Sequence, residues 1–220
     1  MQQFKASAGL AFTAINENEC ALSGIGACTD RNIVIPTEHM GRTIVHVSDM
    51  AFAQNHEITS VYIPASVKSI GDYAFAWCHG IVSVTIENHG VKTIGERCFI
   101  GCDSMVSLYT GDALRTIGEK AFAFCASLQT LTLPHGTKAV GHSAFEGCRA
   151  LASVSLPETL DVLPNNVFGA CVSLTDVSLS SLTKSIGYYA FSYCRNLRSI
   201  NVGDAEVDDH AFLGCEALAC

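Results

Sequence analysis

Residues 58–78 read ITSVYIPASVKSIGDYAFAWC, and residues 128–148 read LQTLTLPHGTKAVGHSAFEGC. Laid over one another, the two stretches agree at Ile58/Leu128, Val61/Leu131, Ile63-Pro64/Leu133-Pro134, Lys68/Lys138, Ile70-Gly71/Val140-Gly141, Ala74-Phe75/Ala144-Phe145 and Cys78/Cys148. Thr137 replaces the apolar residue of the Val67 position. The register extends outward in both directions. Phe52, Phe75, Phe99, Phe122, Phe145, Phe168, Phe191 and Phe212 follow one another at intervals of 23, 24, 23, 23, 23, 23 and 21 residues, most of them preceded by Ala. Self-similarity at a fixed period of this size is the mark of a repeat array, here about eight coils of roughly 23 residues.

The chemistry of one coil predicts its shape. Val61-Tyr62-Ile63 alternates apolar and polar residues, the period of a short strand. Pro64 follows, where no ladder donor is needed. A second extended stretch is expected over Val67 to Ile70. Gly71 is read as a position needing a backbone conformation closed to other residues. Asp72, Glu96, Glu119 and Asn165 then suit the start of a helical turn, where free N–H groups favour such acceptors. Ala-Phe-x-x-Cys fills that turn, with Phe and Cys directed inward. A coil this short cannot bury its own apolar face, and stacking on its neighbours does so. The expected fold is a right-handed, β-rich repeat solenoid with short helical turns over residues 36–220.

These residues resemble the BspA-like leucine-rich repeat family, whose units carry Ile-Pro, then Val-x-x-Ile-Gly-x-x-Ala-Phe-x-x-Cys-x-x-Leu. The resemblance covers essentially residues 33–218. The segment from Gly9 through Gly26 to Pro36 is similar to the leading segment of such proteins, which implies a β-hairpin-like cap over residues 1–35. Family members are often surface or secreted proteins, some implicated in adhesion, so the resemblance implies a binding module without naming its partner. Departures from the pattern are local. The coil from Cys78 has an extra residue and Glu87 in place of Pro, the coil from Cys102 has the weak strand end Tyr109-Thr110-Gly111, and the coil from Cys194 is two residues short. After Cys215 only Glu216 to Cys220 remain, an edge expected to lack a cap and to offer a place for self-association or for a partner.

Composition narrows the function classes. Hydrophobic residues make up 49% of the 220 and charged residues 15%, so the chain is not a disordered tail. A formal net charge of −8 argues against nucleic-acid or anionic-membrane binding, which want clustered positive charge. No apolar run reaches the ~20 residues of a membrane span. The start MQQFKASAGLAF lacks the apolar core of a secretory signal, leaving either an intracellular protein or one whose leader is not in this chain. No enzyme is expected: the eight His are scattered over the repeat, Asp208-Asp209-His210 reads as a polar turn, and there is no Gly-rich phosphate loop. No metal or cofactor is expected either, because no Cys-x-x-Cys pair occurs.

Four sets of residues are candidates for function or for the framework that carries it. Cys78, Cys102, Cys125, Cys148, Cys171, Cys194 and Cys215 share one inward position and read as a reduced structural ladder. Cys20 and Cys28 are the pair for which a bridge is an open alternative, while Cys220 lies at the chain end. Tyr62, Thr85, Tyr109, Thr132, Ser155, Ser178 and Asn201 occupy the outward centre of successive strands. They form either a flat protein- or glycan-binding face anchored by the tyrosines or a solvated face of good strand formers. Lys68, Lys92, Arg115, Lys138 and Lys184 form a basic column broken by Asp161. It would either meet an acidic partner, including a sulfated or sialylated glycan, or simply blunt the sheet against aggregation. Trp77, Phe124 and Tyr193 share the place beside the Cys, either as a surface contact patch or partly buried between coils. A structural or self-associating scaffold is the alternative to a binding module.

Overall fold

The computed structural model describes residues 5–218, so Cys220 lies outside the described residues. It is a β-solenoid of about eight coils, each coil contributing to three lines that run along the axis. The first line holds Asn32–Val34, Ser60–Ile63, Ser83–Ile86 and Ser107–Tyr109 in one parallel sheet, then Thr130–Thr132, Ser153–Ser155, Asp176–Ser178 and Ser199–Ile200 in another. The second line runs from the antiparallel hairpin Ala11–Ala14/Glu19–Gly24 onto Arg42–Val47, where Glu38–His39 pairs alongside, and then through Ser69–Ile70, Thr93–Ile94, Thr116–Ile117 and Ala139–Val140. It resumes as Val162–Leu163, Ser185–Ile186 and Glu206–Val207.

The interruption of the second line has a cause in the sequence. In most coils the residue after the strand donates its N–H to the coil before, as Gly95 does to Ile70 O (2.9 Å), Gly118 to Ile94 O (2.8 Å) and Gly141 to Ile117 O (2.8 Å). The next coil has Pro164 there, which carries no N–H. The sheet ends one strand before it and a new one begins.

The third line corrects the expectation of helical turns: no helix forms among the described residues. Over Asp72 to Cys78 the chain makes tandem turns, with Ala76 N donating to Tyr73 O and Cys78 N to Phe75 O. The intervening N–H groups point along the axis: Tyr73 donates to Glu96 O (2.9 Å), Phe75 to Cys98 O (2.8 Å) and Trp77 to Ile100 O (2.7 Å). Beyond its first turn, a helix would turn such donors back onto carbonyls of its own segment. Here alternate donors join neighbouring coils, which requires left-handed backbone at two places per coil, such as Tyr73 (φ 56°) and Trp77 (φ 59°), or Lys120 (φ 52°) and Phe124 (φ 62°).

Two further expectations change with it. Gly71, Gly95 and Gly118 do not carry the left-handed backbone; it falls two residues later. They are glycines because a Cβ would strike the preceding coil, 2.6 Å from Asp49 N, 2.7 Å from Gly71 C and 2.6 Å from Glu96 N respectively. The acceptors that follow do not cap a helix. Asp49 Oδ1 accepts from Asp72 N (2.8 Å), Asp72 Oδ1 from Glu96 N (2.7 Å) and Asn165 Oδ1 from Tyr188 N (3.0 Å), each reaching into the next coil. Glu119 instead takes the Arg97 guanidinium at 3.0 Å.

The core is a pair of ladders. The eight phenylalanine rings stack at centroid spacings of 4.9 to 5.6 Å with interplanar angles of 0 to 21°. Burying each ring is worth about 1.5–3 kcal/mol, and the stack puts that gain in contact along its whole length. Beside it, every thiol of the Cys series donates to the Phe carbonyl of the preceding coil, from Cys78 to Phe52 O (3.0 Å) through Cys148 to Phe122 O (3.3 Å) to Cys215 to Phe191 O (3.1 Å). All these cysteines are free, and Cys20 and Cys28 are free and buried as well.

Candidate functional site

The strand face is regular but not continuous. Tyr62 and Tyr109 flank Thr85 in register on the first sheet, which ends there. Thr132, Ser155 and Ser178 are aligned on the second sheet and exposed. Asn201 lies past the last strand of the line, where its Oδ1 accepts from Gly203 N at 3.1 Å. The seven positions therefore divide into an aromatic patch and a hydroxyl-rich patch. Both phenols are positioned by the loop of the coil from Cys78. Tyr109 Oη donates to Asn88 Oδ1 at 2.9 Å. Tyr62 is half-buried, and burial, followed by the adjacent Glu87 carboxylate to which it hydrogen-bonds, raises its phenol above the ordinary value.

The basic column is joined through its backbone. Lys92 N donates to Lys68 O (2.8 Å), Arg115 N to Lys92 O (2.8 Å) and Lys138 N to Arg115 O (2.9 Å), so four cationic residues follow one another at the coil spacing. Their heads differ. Lys68 Nζ donates to Ala65 O and His89 O, and the Arg115 guanidinium donates to Leu114 O at 3.0 Å. Lys92 and Lys138 are exposed and have no ion-pair partner among the described residues. The fifth member, Lys184, is separate: it pairs with Asp161 at 2.6 Å, and that bond lowers the Asp161 carboxyl and raises the ammonium. Asp161 therefore both breaks the column and cancels the charge beyond the break.

Trp77, Phe124 and Tyr193 lie on the turn line and remain 41%, 44% and 49% exposed. Each ring is accommodated by a glycine in the following coil. A Cβ on Gly101, Gly147 or Gly214 would meet the ring of the preceding aromatic at 2.2, 2.7 and 2.7 Å. Trp77 and Phe124 wall a groove of about 210 Å³, with His79, Asp103 and Arg149 along its other side. In the sequence the aromatics stand out as a column, whereas the glycines and the polar side take on meaning only once the coils are stacked. The available signal was an aromatic in one coil answered by glycine at the same position of the next. Among the described residues no group of three or more His, Cys, Asp and Glu side chains is placed to hold a metal ion.

With this geometry in hand, the model of the BspA type leucine rich repeat region matches residues 45–126 and 92–219, in six copies. The chain belongs to this BspA-type leucine-rich repeat family. Among solved structures, it is similar to a leucine rich repeat protein of T. pallidum, at 24% identity over 89% of this chain and 91% of that one, with a TM-score of 0.78. A leucine-rich repeat protein from Bacteroides ovatus is similar at 22% identity over 99% of this chain and 70% of that one, with a TM-score of 0.74. A leucine rich cell surface protein from Faecalibacterium prausnitzii is similar at 19% identity over 97% and 86% of the two chains, with a TM-score of 0.52. No curated protein matches the chain significantly.

The BspA-type signature is spent on the interior. Its Phe makes the stack, its Cys donates to the Phe carbonyl, and its Gly lets adjacent coils touch. What could distinguish one BspA-type solenoid from another is held at positions the signature leaves open: the strand centres, the column of Lys68 and the ring positions of the turn line.

Proposed function

We propose that this BspA-type solenoid is a non-catalytic, adhesin-like binding module that recognises a protein or glycan partner through its strand face. The observation that carries the reading is the aromatic patch: two phenols, hydrogen-bonded to Asn88 and Glu87 of the coil between them, bracket Thr85 on a parallel sheet. Tyrosines held this way lose little freedom on binding and supply both apolar area and a hydroxyl. The run from Lys68 to Lys138 flanks the second strand line of the same coils and would steer an acidic partner toward them. Display at a cell surface fits this role, as for the F. prausnitzii protein described as a cell surface protein.

The test is a capture experiment on immobilised host-protein and glycan panels, with the wild type beside a Tyr62→Ala/Tyr109→Ala double variant and a Lys92→Glu/Lys138→Glu double variant. The reading expects a saturable partner, weaker binding by the tyrosine variant at any salt, and a charge-swap defect that fades as salt rises. It is overturned by a wild type that captures nothing, or by a captured partner that binds both variants as tightly. A concentration-dependent dimer on light scattering, with no captured partner, would favour the self-associating scaffold instead.

A further inference from the structure

We infer that the turn line carries a second binding surface, a shallow groove for a neutral, β1,4-linked hexopyranose chain lying along the solenoid axis. It is separate from the strand face, and neither reading depends on the other. The groove lies between Trp77 and Phe124 and is open to solvent. Glycine at Gly101 and Gly147 makes room for the rings to lie over the following coil.

The opposite side of the groove is polar. His79 Nδ1 stands 3.0 Å from Asp103 Oδ1, and Arg149 brings a planar set of donors with no ion-pair partner among the described residues. A sugar ring has the matching make-up. Its axial C–H face is apolar and packs on an aromatic ring, while its hydroxyls donate and accept at the rim. Asp103 accepts, Arg149 donates, and the His79 imidazole does either.

Spacing selects a polymer. Trp77 and Phe124 are two coils apart, ~10 Å at the strand spacing, and Tyr193 follows on the same line three coils further, ~15 Å away. An extended β1,4-linked chain advances per sugar by nearly the step that the solenoid makes per coil. Rings two and three coils apart thus meet whole sugars at a constant register. Further along the turn line a second groove of about 430 Å³ is bordered by Glu146, Asn166, Ser192 and Tyr193. A peptide is the poorer fit. The groove has no deep pocket for an anchoring side chain, and the N–H groups of this line are already committed to neighbouring coils.

Trp77 is the single tryptophan of the chain, so its fluorescence reports on the groove directly. Titration of the intact chain with cellohexaose and with chitohexaose, each to millimolar concentration, should give a saturable change with at least one of them. Phe124→Ala should weaken that binding several-fold, Asp103→Asn should weaken it less, and Tyr62→Ala should leave it unchanged. Thermal melts establish that the variants are folded; Asp103→Asn, on the exposed polar side, keeps the test standing if Phe124→Ala is not. A flat titration with both oligosaccharides overturns the inference, as does binding that every folded groove variant retains in full. Binding of an extended peptide at Trp77 in place of either sugar also overturns it.

Discussion

On the turn line, Phe122 is buried between Phe99 at 5.3 Å and Phe145 at 5.4 Å, and its carbonyl receives the Cys148 thiol. On the strand face of the neighbouring coil, Thr132 is exposed, paired only through its backbone with Ser155. The same repeat builds both places. In the first, each side chain is defined by the coils above and below, and a change is felt by three coils at once. In the second, backbone bonds hold the register and leave the side chain to vary. A repeat protein can thus hold its interior constant while its surface is rewritten.

The sharpest way to break this contrast is to charge the interior. Burial holds the thiols protonated, with Cys78 pushed up to about 11 and Cys148 and Cys194 to about 12 from an ordinary 9.0. Because the folded values lie above the unfolded one, this stabilisation is full below pH 9 and is lost as pH rises toward the folded values. Cys78 alone is worth about 3 kcal/mol on this account, so the ladder together should unfold the solenoid in that window. Circular dichroism against pH checks it; a solenoid unchanged well above pH 11 would refute the buried thiols.

Next in size, Phe122→Ala should cost about 3–5 kcal/mol by opening a cavity in the stack. The loss should reach the adjacent coils, seen as faster amide exchange around Phe99 and Phe145. Gly118→Ala should cost about 1–3 kcal/mol in a thermal melt, since its Cβ would meet unyielding backbone. Lys138→Ala, on the exposed column, should change stability by less than about 0.5 kcal/mol. If the melts place Lys138→Ala above Phe122→Ala, the contrast between interior and surface is wrong.

Much of the fold was legible because the interior is repetitive: Phe and Cys recur at one register, and alternation within Val61-Tyr62-Ile63 sets which side faces in. The turn line was not. Ala-Phe-x-x-Cys places Phe and Cys three residues apart, as a helix would, and nothing in one coil reveals that its N–H groups are claimed by the next. The role of Gly71 was hidden for the same reason, because close approach is a property of two coils and not of one sequence window. Pro164 stands in the sequence where most coils have Gly, but its effect on the sheet depends on a bond that only the stacked coils define. The candidate surfaces were legible as columns. Their division was not, because the end of the first sheet at Tyr109 and the pairing of Lys184 with Asp161 belong to the assembled solenoid.

The alternation of donors on the turn line has a mechanical consequence. Neighbouring coils are joined along the turn line, and along the two strand lines wherever the sheets run on, by hydrogen bonds running nearly parallel to the axis. A pull along that axis loads one interface at a time in tension, and the solenoid should yield coil by coil in small, even steps. A pull across it loads the lines in shear, where the stacked rings and their neighbouring thiols must slide together. The molecule is therefore compliant in one direction and stiff in the other, and the direction in which it is tethered decides which of the two a bound partner would feel.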